Sequence, residues 1–234
     1  PSIFRPSNGN WYIAKSFGGI DVITWGDSTD EPVGGDFDGD RKADLAIFRP
    51  TPGTTPDFYI VKSNGFVIEN ISWRDPGDRP VVGDYDGDGK DDVAVFRPSN
   101  NTWYVVKSSG GLQIDTFGQA GDTAVPGKFD GDNMTDRAVY RNGQWIVNNS
   151  TGGTMIANWG EPGDILVPAD YDGDDRDDVA VWRPSTGFWY IRRSTNFALD
   201  IFSWGQTGDI PVPGDFDGVG RDDPPGFRPS NGIW

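Results

Sequence analysis

The chain has 234 residues, a formal net charge of −16, and neither cysteine nor histidine. The absence of both residue types excludes disulfides, thiol catalysis, zinc-thiolate or iron–sulfur sites, and imidazole as a base or metal ligand. The acidic charge argues against nucleic acid or an acidic membrane surface as a partner, and no apolar run is long enough to span a membrane as a helix.

A Phe-Arg-Pro marker returns along the chain at a regular interval. It occurs at Phe4, Phe48, Phe96 and Phe227, with variants at Tyr140 and Trp182. The spacing predicts five repeats of about 45 residues, a period typical of propeller blades and helical solenoids. The 33 glycines, 18 prolines and strand-like runs exclude the solenoid. We predict one domain over 1–234, with repeats at 1–35, 36–83, 84–127, 128–169 and 170–214 and a partial repeat at 215–234.

The repeat at 84–127 shows the predicted elements in order. After an acidic loop, apolar runs predict strands over 93–97 and 103–107, an alternating run predicts an outer strand over 112–117, and a short fourth stretch covers 124–127. The first two strands are apolar on both faces, as expected for a sheet packed between two neighbours. The pattern predicts an all-β fold, a β-propeller of about five four-stranded blades with calcium-binding loops of the form DxDxDGxxD.

A nine-residue acidic loop opens each repeat, with carboxylates at its first, third, fifth and ninth positions. The intact copies are Asp36, Asp38, Asp40, Asp44; Asp84, Asp86, Asp88, Asp92; and Asp170, Asp172, Asp174, Asp178. Two copies lack one acid: Lys128 replaces the first beside Asp130, Asp132 and Asp136, and Val219 replaces the fifth-position acid beside Asp215, Asp217 and Asp223. Half of the 36 acidic residues therefore occupy these positions.

Crowded carboxylates repel one another unless a cation offsets them. Oxygen ligands alone favour a hard ion, calcium before magnesium, so we predict about three to five structural Ca²⁺ ions. The backbone carbonyls at position seven are further predicted ligands: Lys42, Lys90 and Arg176. An EF-hand needs a glutamate at position twelve, where this chain has Ile47 and Val95. The remaining alternative is a solvated acidic turn that binds nothing.

Position four is glycine in every copy, which predicts positive φ or a close backbone approach. We expect the Lys128 ammonium to substitute for a metal in its loop, leaving that loop metal-free or weak. Val219 removes one ligand from the last loop, which is therefore a weaker predicted site.

Other features recur once per repeat. Aspartates precede the fourth stretches and are predicted to cap turns: Asp30, Asp78, Asp122, Asp164 and Asp209. Aromatic residues begin the second strands (Trp11, Phe58, Trp103, Trp145, Trp189) and end the third (Trp25, Trp73, Phe117, Trp159, Trp204). Packing between blades is one interpretation. Stacking on a sugar is the other, with Trp11, Trp103 and Trp189 as candidates. Only 51–56 and Arg192-Arg193 are particular to one repeat, and neither has a recognisable chemistry.

The two ends repeat each other. Residues 1–11 match residues 224–234, so the chain overruns five repeats by eleven residues. One copy is spare, or the copies exchange between molecules as a route to self-association, or the chain is a segment of a longer array; a closed five-bladed ring is the favoured interpretation. Because the chain begins within a repeat, we expect a processed or trimmed N-terminus.

The run Asp36-Phe-Asp-Gly-Asp40, followed by Asp44-Leu-Ala-Ile-Phe48, and its copies resemble the FG-GAP/VCBS repeat of integrin α-subunit propellers and bacterial surface proteins. The resemblance covers essentially the whole chain. It implies a β-propeller whose Asp side chains and a carbonyl hold Ca²⁺; Lys128 and Val219 depart from the pattern. The name-giving Phe-Gly occurs at Phe117-Gly118, whereas a Gly-Ala-Pro element is not evident.

These observations predict a binding or adhesion module that is stabilised by calcium and recognises a glycan or a protein. Acidic loops of modest affinity suit extracellular calcium, so we expect the protein to be secreted or on the cell surface. The alternatives are a self-assembling architectural array and a non-catalytic accessory domain of a larger secreted enzyme. We do not expect an enzyme, because no acid pair stands apart from the repeats.

Overall fold

The computed structural model describes residues 2–15, 18–50, 58–64, 68–71, 75 and 77–233. Within these residues all helical or strand structure consists of β-strands and no helix occurs, which confirms the all-β class. No helix with the length and apolar character of a membrane span occurs in this described part. The segment 51–56 and the residues Trp73 and Trp234, all used in the sequence interpretation, lie outside it.

The chain divides into two compact units, Pro1–Thr116 and Phe117–Trp234. The first unit contains a three-stranded sheet and two four-stranded sheets. Their strands are β1 (Ser2–Arg5), β2 (Asn10–Ala14), β3 (Ile20–Thr24); β4 (Glu31–Val33), β5 (Leu45–Phe48), β6 (Phe58–Val61), β7 (Ile68–Ile71); and β8 (Arg79–Pro80), β9 (Val93–Arg97), β10 (Thr102–Val106), β11 (Leu112–Thr116).

The second unit contains two four-stranded sheets and a two-stranded sheet within its described residues. Their strands are β12 (Thr123–Ala124), β13 (Arg137–Arg141), β14 (Gln144–Asn148), β15 (Thr154–Asn158); β16 (Ile165–Leu166), β17 (Val179–Arg183), β18 (Phe188–Arg192), β19 (Leu199–Ser203); and β20 (Ile210–Pro211), β21 (Gly226–Phe227). All pairings between these strands are antiparallel, and the sheets are the blades of a β-propeller fold.

Burial follows the predicted gradient across the sheet β8–β11. In the sheet β8–β11, Val93 to Phe96 are buried in succession, whereas β11 alternates between exposed and half-buried residues. A strand that is buried on both faces needs apolar side chains throughout, and an outer strand with one solvated face needs them at alternate positions. In this sheet the sequence pattern therefore predicted which strand is buried on both faces and which is the outer strand.

The phase of the sheets differs from the predicted repeats. The short fourth stretch of one repeat pairs with the first strand after the next acidic loop, as Thr123 and Ala124 of β12 do with Tyr140 and Val139. The acidic loop thus lies within a sheet, between its first and second strands, and does not join one sheet to the next. The predicted repeat boundaries at the loops therefore do not coincide with the boundaries between sheets, because a two-residue strand gives no pattern that assigns its partner.

The core consists of clusters that join neighbouring sheets of the same unit. In the first unit, Phe48 and Phe58 pack in one cluster with Val93 and Val95 of the next sheet. In the second, Trp145 packs in a cluster with Val179 and Val181 of the sheet that follows. Trp145 is fully buried, and its truncation to alanine should cost about 3–5 kcal/mol.

Candidate metal centres in the acidic loops

Four of the five acidic loops fold around the carboxylate of their first aspartate, and the loop that begins at Lys128 has none. In the loop after β8, Oδ1 of Asp84 accepts a hydrogen bond from Gly87 N at 2.7 Å and Oδ2 accepts one from Gly89 N at 2.9 Å. The loops at 36–44, 170–178 and 215–223 repeat both bonds. A short side chain that accepts bonds from its own loop is a turn-forming device, which is why aspartate suits this position.

The glycine at position four meets both predictions made for it. Gly39, Gly87 and Gly131 have φ values of 79°, 76° and 81°. The position-seven side chain of the following loop also lies over it, because a Cβ on Gly39 would stand 3.2 Å from Cγ of Lys90. A larger residue would therefore be strained in its backbone and crowded by the next blade.

Three carboxylates converge in four of the loops. One oxygen from each acid lies within 4.8 Å of the others in these sets: Asp36, Asp38, Asp40; Asp84, Asp86, Asp92; Asp170, Asp172, Asp174; and Asp215, Asp217, Asp223. Each intact loop brings together three of its four predicted acids, and the loop with Val219 also assembles three. In the described residues the loop 128–136 forms no such group.

Two of these groups contain a carboxylate oxygen that is buried without a hydrogen-bond donor. They are Oδ2 of Asp38 and Oδ1 of Asp172, both at the third position of a loop. A buried, unpaired carboxylate oxygen costs free energy unless a cation or a donor satisfies it. The donor set contains oxygen only, so these residues fit a hard divalent cation such as calcium.

The ninth aspartate has a structural role that the sequence did not reveal. Oδ2 of Asp92 accepts Tyr85 N at 2.9 Å and Oδ1 accepts Ser108 N at 2.7 Å, so this carboxylate ties the acidic loop to the turn after β10. Asp44, Asp136 and Asp178 make the same pair of bonds. Burial raises the pKa of Asp92, and it raises the pKa of Asp178 to about 6.

Serine residues in the turns between the second and third strands were missed as contributors to the site. Ser108 Oγ donates to Asp88, Ser150 Oγ to Asp132 and Ser194 Oγ to Asp174, at 2.8, 2.6 and 2.9 Å. Ser63 Oγ donates to Asp40 at 2.8 Å in the first unit. The recurrence of serine at one phase of the repeat was the available signal.

The aspartate at position eight links neighbouring loops within a unit. Asp91 N donates to Asp36 O at 2.8 Å, and Oδ2 of Asp91 accepts Asp36 N at 2.7 Å. Asp177 makes both bonds to Lys128, and Asp222 makes both to Asp170. The aspartate at position eight thus bonds to the loop of the neighbouring blade, and the aspartate at position nine bonds to a turn of its own blade.

The loop with Lys128 satisfies its acids without the lysine side chain. Thr151 N and Oγ1 donate to Oδ2 of Asp130 at 3.1 and 2.6 Å, and Ser150 Oγ donates a hydrogen bond to Asp132. The Lys128 side chain is exposed and makes no ion pair among the described residues. The expected substitution of its ammonium for a metal is therefore not what the side chain does, since hydroxyl and amide donors take that place. The backbone carbonyls of Lys42, Lys90 and Arg176 remain predicted ligands.

The aspartates that precede the short fourth stretches cap turns as predicted, and each of them also binds an arginine. Oδ2 of Asp78 accepts Asp75 N at 2.9 Å, while Nε and Nη2 of Arg97 each donate to the same carboxylate at 2.9 Å. The arginine is that of the Phe-Arg-Pro marker. The same two-pronged pair recurs as Arg49–Asp30, Arg141–Asp122, Arg183–Asp164 and Arg228–Asp209.

The tryptophans considered for ligand stacking are packing residues. Trp11, Trp103 and Trp189 are 4%, 0% and 1% exposed, so their rings offer no face to a ligand. The indole N–H of Trp189 donates to Trp204 O at 2.9 Å, a bond that Trp11 repeats with Trp25 O. The structure therefore corrects their assignment as ligand-binding residues and supports the packing interpretation.

Comparison with known proteins identifies one repeat directly. Residues 77–113 match the FG-GAP repeat family, and this range includes the acidic loop 84–92 and the strands β9 and β10. The same loop and strand pattern recurs in the other copies described above. No curated protein sequence matches the chain.

Solved structures share the fold at low sequence identity. A lectin from Agrocybe aegerita that recognises non-reducing terminal N-acetylglucosamine matches with a TM-score of 0.61, 16% identity, and coverage of 94% of this chain and 68% of that one. Virginiamycin B lyase from Staphylococcus aureus gives 0.58, 11%, 90% and 68%, and a streptogramin B lyase gives 0.54, 10%, 86% and 64%. The chain thus spans about two-thirds of these structures, and the similarity concerns the fold alone.

Proposed function

We propose that this chain, an FG-GAP repeat protein with a β-propeller fold, is a binding module that works outside the cell and is stabilised by calcium. The observation that carries the calcium proposal is the pair of orphaned oxygens on Asp38 and Asp172, each buried in a group of three carboxylates. A divalent cation supplies the positive charge that these groups lack.

The ion would be held by the triads, and its role would be structural. Bound cations offset the repulsion between the acids at positions one, three, five and nine and so stabilise loops that lie within the blades. We expect binding in the three intact loops at extracellular calcium concentrations, weaker binding at 215–223, and little or none at 128–136. A total of about three to four ions follows.

Isothermal titration calorimetry with CaCl₂ on chelator-treated protein tests this proposal. Asp172→Asn should remove one binding event, because it removes a ligand from a complete triad. Asp132→Asn is the matched control, since its loop forms no triad, and it should leave the stoichiometry unchanged. Heat no greater than that of dilution would contradict the calcium proposal.

Binding is favoured over catalysis by the chemistry of the chain. A structural neighbour is a lectin, which supports carbohydrate recognition on this fold. Another neighbour is a lyase for which a histidine-to-alanine variant is described as catalytically inactive, and this chain has no histidine. The buried carboxylates of Asp92 and Asp136 accept hydrogen bonds from loop and turn backbones, which argues against a general acid or base role for them.

The partner is proposed to be a glycan or a protein, and the site of action secreted or on the cell surface. A glycan array probed with the calcium-loaded chain tests the carbohydrate part. We expect signal on a restricted set of glycans. A blank array together with capture of a protein ligand would move the proposal to protein recognition.

A further inference from the structure

A cleft in the second unit has features that its counterpart in the first unit lacks. It lies between the sheets β12–β15 and β16–β19 and has a volume of about 520 Å³. Its lining combines three arginines, apolar side chains and an exposed aromatic ring: Arg176, Arg192, Arg193, Met155, Val179 and Phe197.

Two of these arginines have no carboxylate partner. Arg193 Nε binds Asp200 at 2.7 Å, whereas the guanidinium groups of Arg176 and Arg192 make no ion pair with any described residue. The arginines of the five repeated pairs are each held by a buried aspartate, whereas these two guanidiniums line one cleft without such a partner. Arginine forks are suited to carboxylate recognition.

Phe197 lies at the cleft in a strained backbone conformation. Its φ is 61°, a region that bulky residues avoid, and its side chain is 64% exposed. The Arg192 guanidinium covers the ring, with its carbon 4.8 Å from the ring centre. The corresponding turns at 107–111 and 149–153 use glycine with positive φ instead. An exposed aromatic that replaces glycine at such a cost suggests a ligand contact.

The acidic residues in the cleft are already engaged. Asp130 accepts bonds from Thr151 and Ser150, and Asp177 accepts Lys128 N at 2.7 Å. These donors are neutral and leave both carboxylates charged, but neither carboxylate forms an ion pair with Arg176 or Arg192 among the described residues. Asn149 and Ser194 complete the lining with amide and hydroxyl groups that suit sugar hydroxyls.

The equivalent cleft in the first unit is smaller and lacks the same groups. It lies between β4–β7 and β8–β11 and has a volume of about 190 Å³. Val106 takes the place of Arg192, Lys107 that of Arg193, and no aromatic residue stands at its turn. The first cleft is also cationic, with Lys62, Lys90 and Lys107 in its lining, so what is particular to the second unit is the arginine guanidiniums and the exposed aromatic ring at the turn.

We propose that the cleft between β12–β15 and β16–β19 binds a carboxylated saccharide, with Arg192 and Arg176 receiving the carboxylate and the Phe197 ring stacking on the pyranose. This assignment rests on the proposed binding function and names its ligand class. Stacking supplies affinity for the ring, and the unpaired guanidiniums select the acidic form over the neutral one.

Calorimetric titration of the calcium-loaded chain with oligogalacturonate, hyaluronan tetrasaccharide and sialyllactose tests the proposal, up to about 10 mM. The methyl ester of oligogalacturonate serves as a neutral form. We expect at least one acidic saccharide to bind, and its neutral form to bind at least about tenfold more weakly.

Two variants and one control localise the binding. Arg192→Gln should weaken it at least about tenfold. Phe197→Gly should weaken it without lowering the melting temperature, because glycine adopts φ 61° freely. Lys107→Gln, in the equivalent cleft, should leave it unchanged.

Failure to bind any acidic saccharide, equal affinity for acid and ester, or full binding by Arg192→Gln would overturn the assignment. A chain that binds calcium and neutral glycans only would keep the proposed function and lose this site. Loss of calcium binding alone would not count against the cleft.

Discussion

Aspartate has four roles in this chain, and the neighbours of each residue decide which of them it fills. Asp78 holds a marker arginine, Asp92 ties a loop to a turn, and Asp91 joins two loops. Asp38 retains a buried oxygen with no donor. Asp78 and Asp91 have their partners within the protein, whereas Asp38 needs a ligand from outside, so counting acids overestimates the number that a metal must satisfy.

The buried Arg97–Asp78 pair should contribute strongly to stability. The Asp78 side chain is fully buried, and Asp78→Asn would leave the guanidinium with only the exposed Asp75 carboxylate, at a cost of about 2–4 kcal/mol in urea unfolding. Asp75 also pairs with Arg97, but it is 62% exposed. Asp75→Asn is therefore the control and should change stability by no more than about 0.5 kcal/mol. Equal effects of the two changes would refute the distinction.

The pair Arg141–Asp122 makes stability depend on pH. Burial alone would raise the pKa of Asp122, but hydrogen bonds from Arg141 and from Gln119 N outweigh it and hold the pKa below its usual range. A lowered pKa stabilises the fold at pH values above the unfolded pKa of about 3.9, and this contribution is lost as pH falls through the folded value. The stability difference between wild type and Asp122→Asn should therefore shrink from pH 7 to pH 3 at constant calcium. A difference that stays constant over this range would argue against the pair.

At the scale of the element, the acidic loop is a prebuilt turn that a cation would complete. Its first carboxylate accepts hydrogen bonds from the loop backbone, and its glycine leaves room for a side chain of the next loop. Its ninth carboxylate bonds to the turn that follows the next hairpin, after β10 in the sheet β8–β11. The spacing of acids and glycine in the sequence predicts this turn and its chemistry. The roles of the serines and of the position-eight aspartates could not be predicted in the same way. The partner of Ser108 lies 20 residues away in the same blade, and the partner of Asp91 lies 55 residues away in the neighbouring blade.

Substitutions within one loop should separate metal binding from loop structure. Asp86 belongs to a triad but does not anchor the backbone of a distant turn, so Asp86→Asn should lower calcium affinity and leave the chelated protein nearly as stable as wild type. Asp92 belongs to the same triad and also accepts two backbone N–H groups. Asp92→Asn should lower calcium affinity and cost about 1–3 kcal/mol even in chelator. Identical behaviour of the two variants in chelator would contradict the anchoring role.

At the scale of the whole molecule, the repeat predicted the propeller class and the four strands of four sheets, whereas the first and last sheets have three and two strands in the described residues. It did not predict the phase of the sheets, because the two-residue strands β8, β12 and β16 carry no periodic signal. The division into two compact units also has no marker in the sequence, since its boundary at Thr116 falls within an ordinary repeat. Self-association through the duplicated ends stays a prediction, for which light scattering of the calcium-loaded chain is the measurement.

Net charge connects the loops to the stability of the entire chain. A formal charge of −16 opposes compaction, and several divalent ions would remove much of it. Because such ions bind the folded chain in preference to the unfolded one, stability should rise with the logarithm of free calcium above its dissociation constant. Melting curves in EGTA and in about 5 mM calcium measure this effect directly. We expect a melting temperature several degrees lower in EGTA, and identical curves in the two conditions would contradict the stabilisation of this fold by bound calcium.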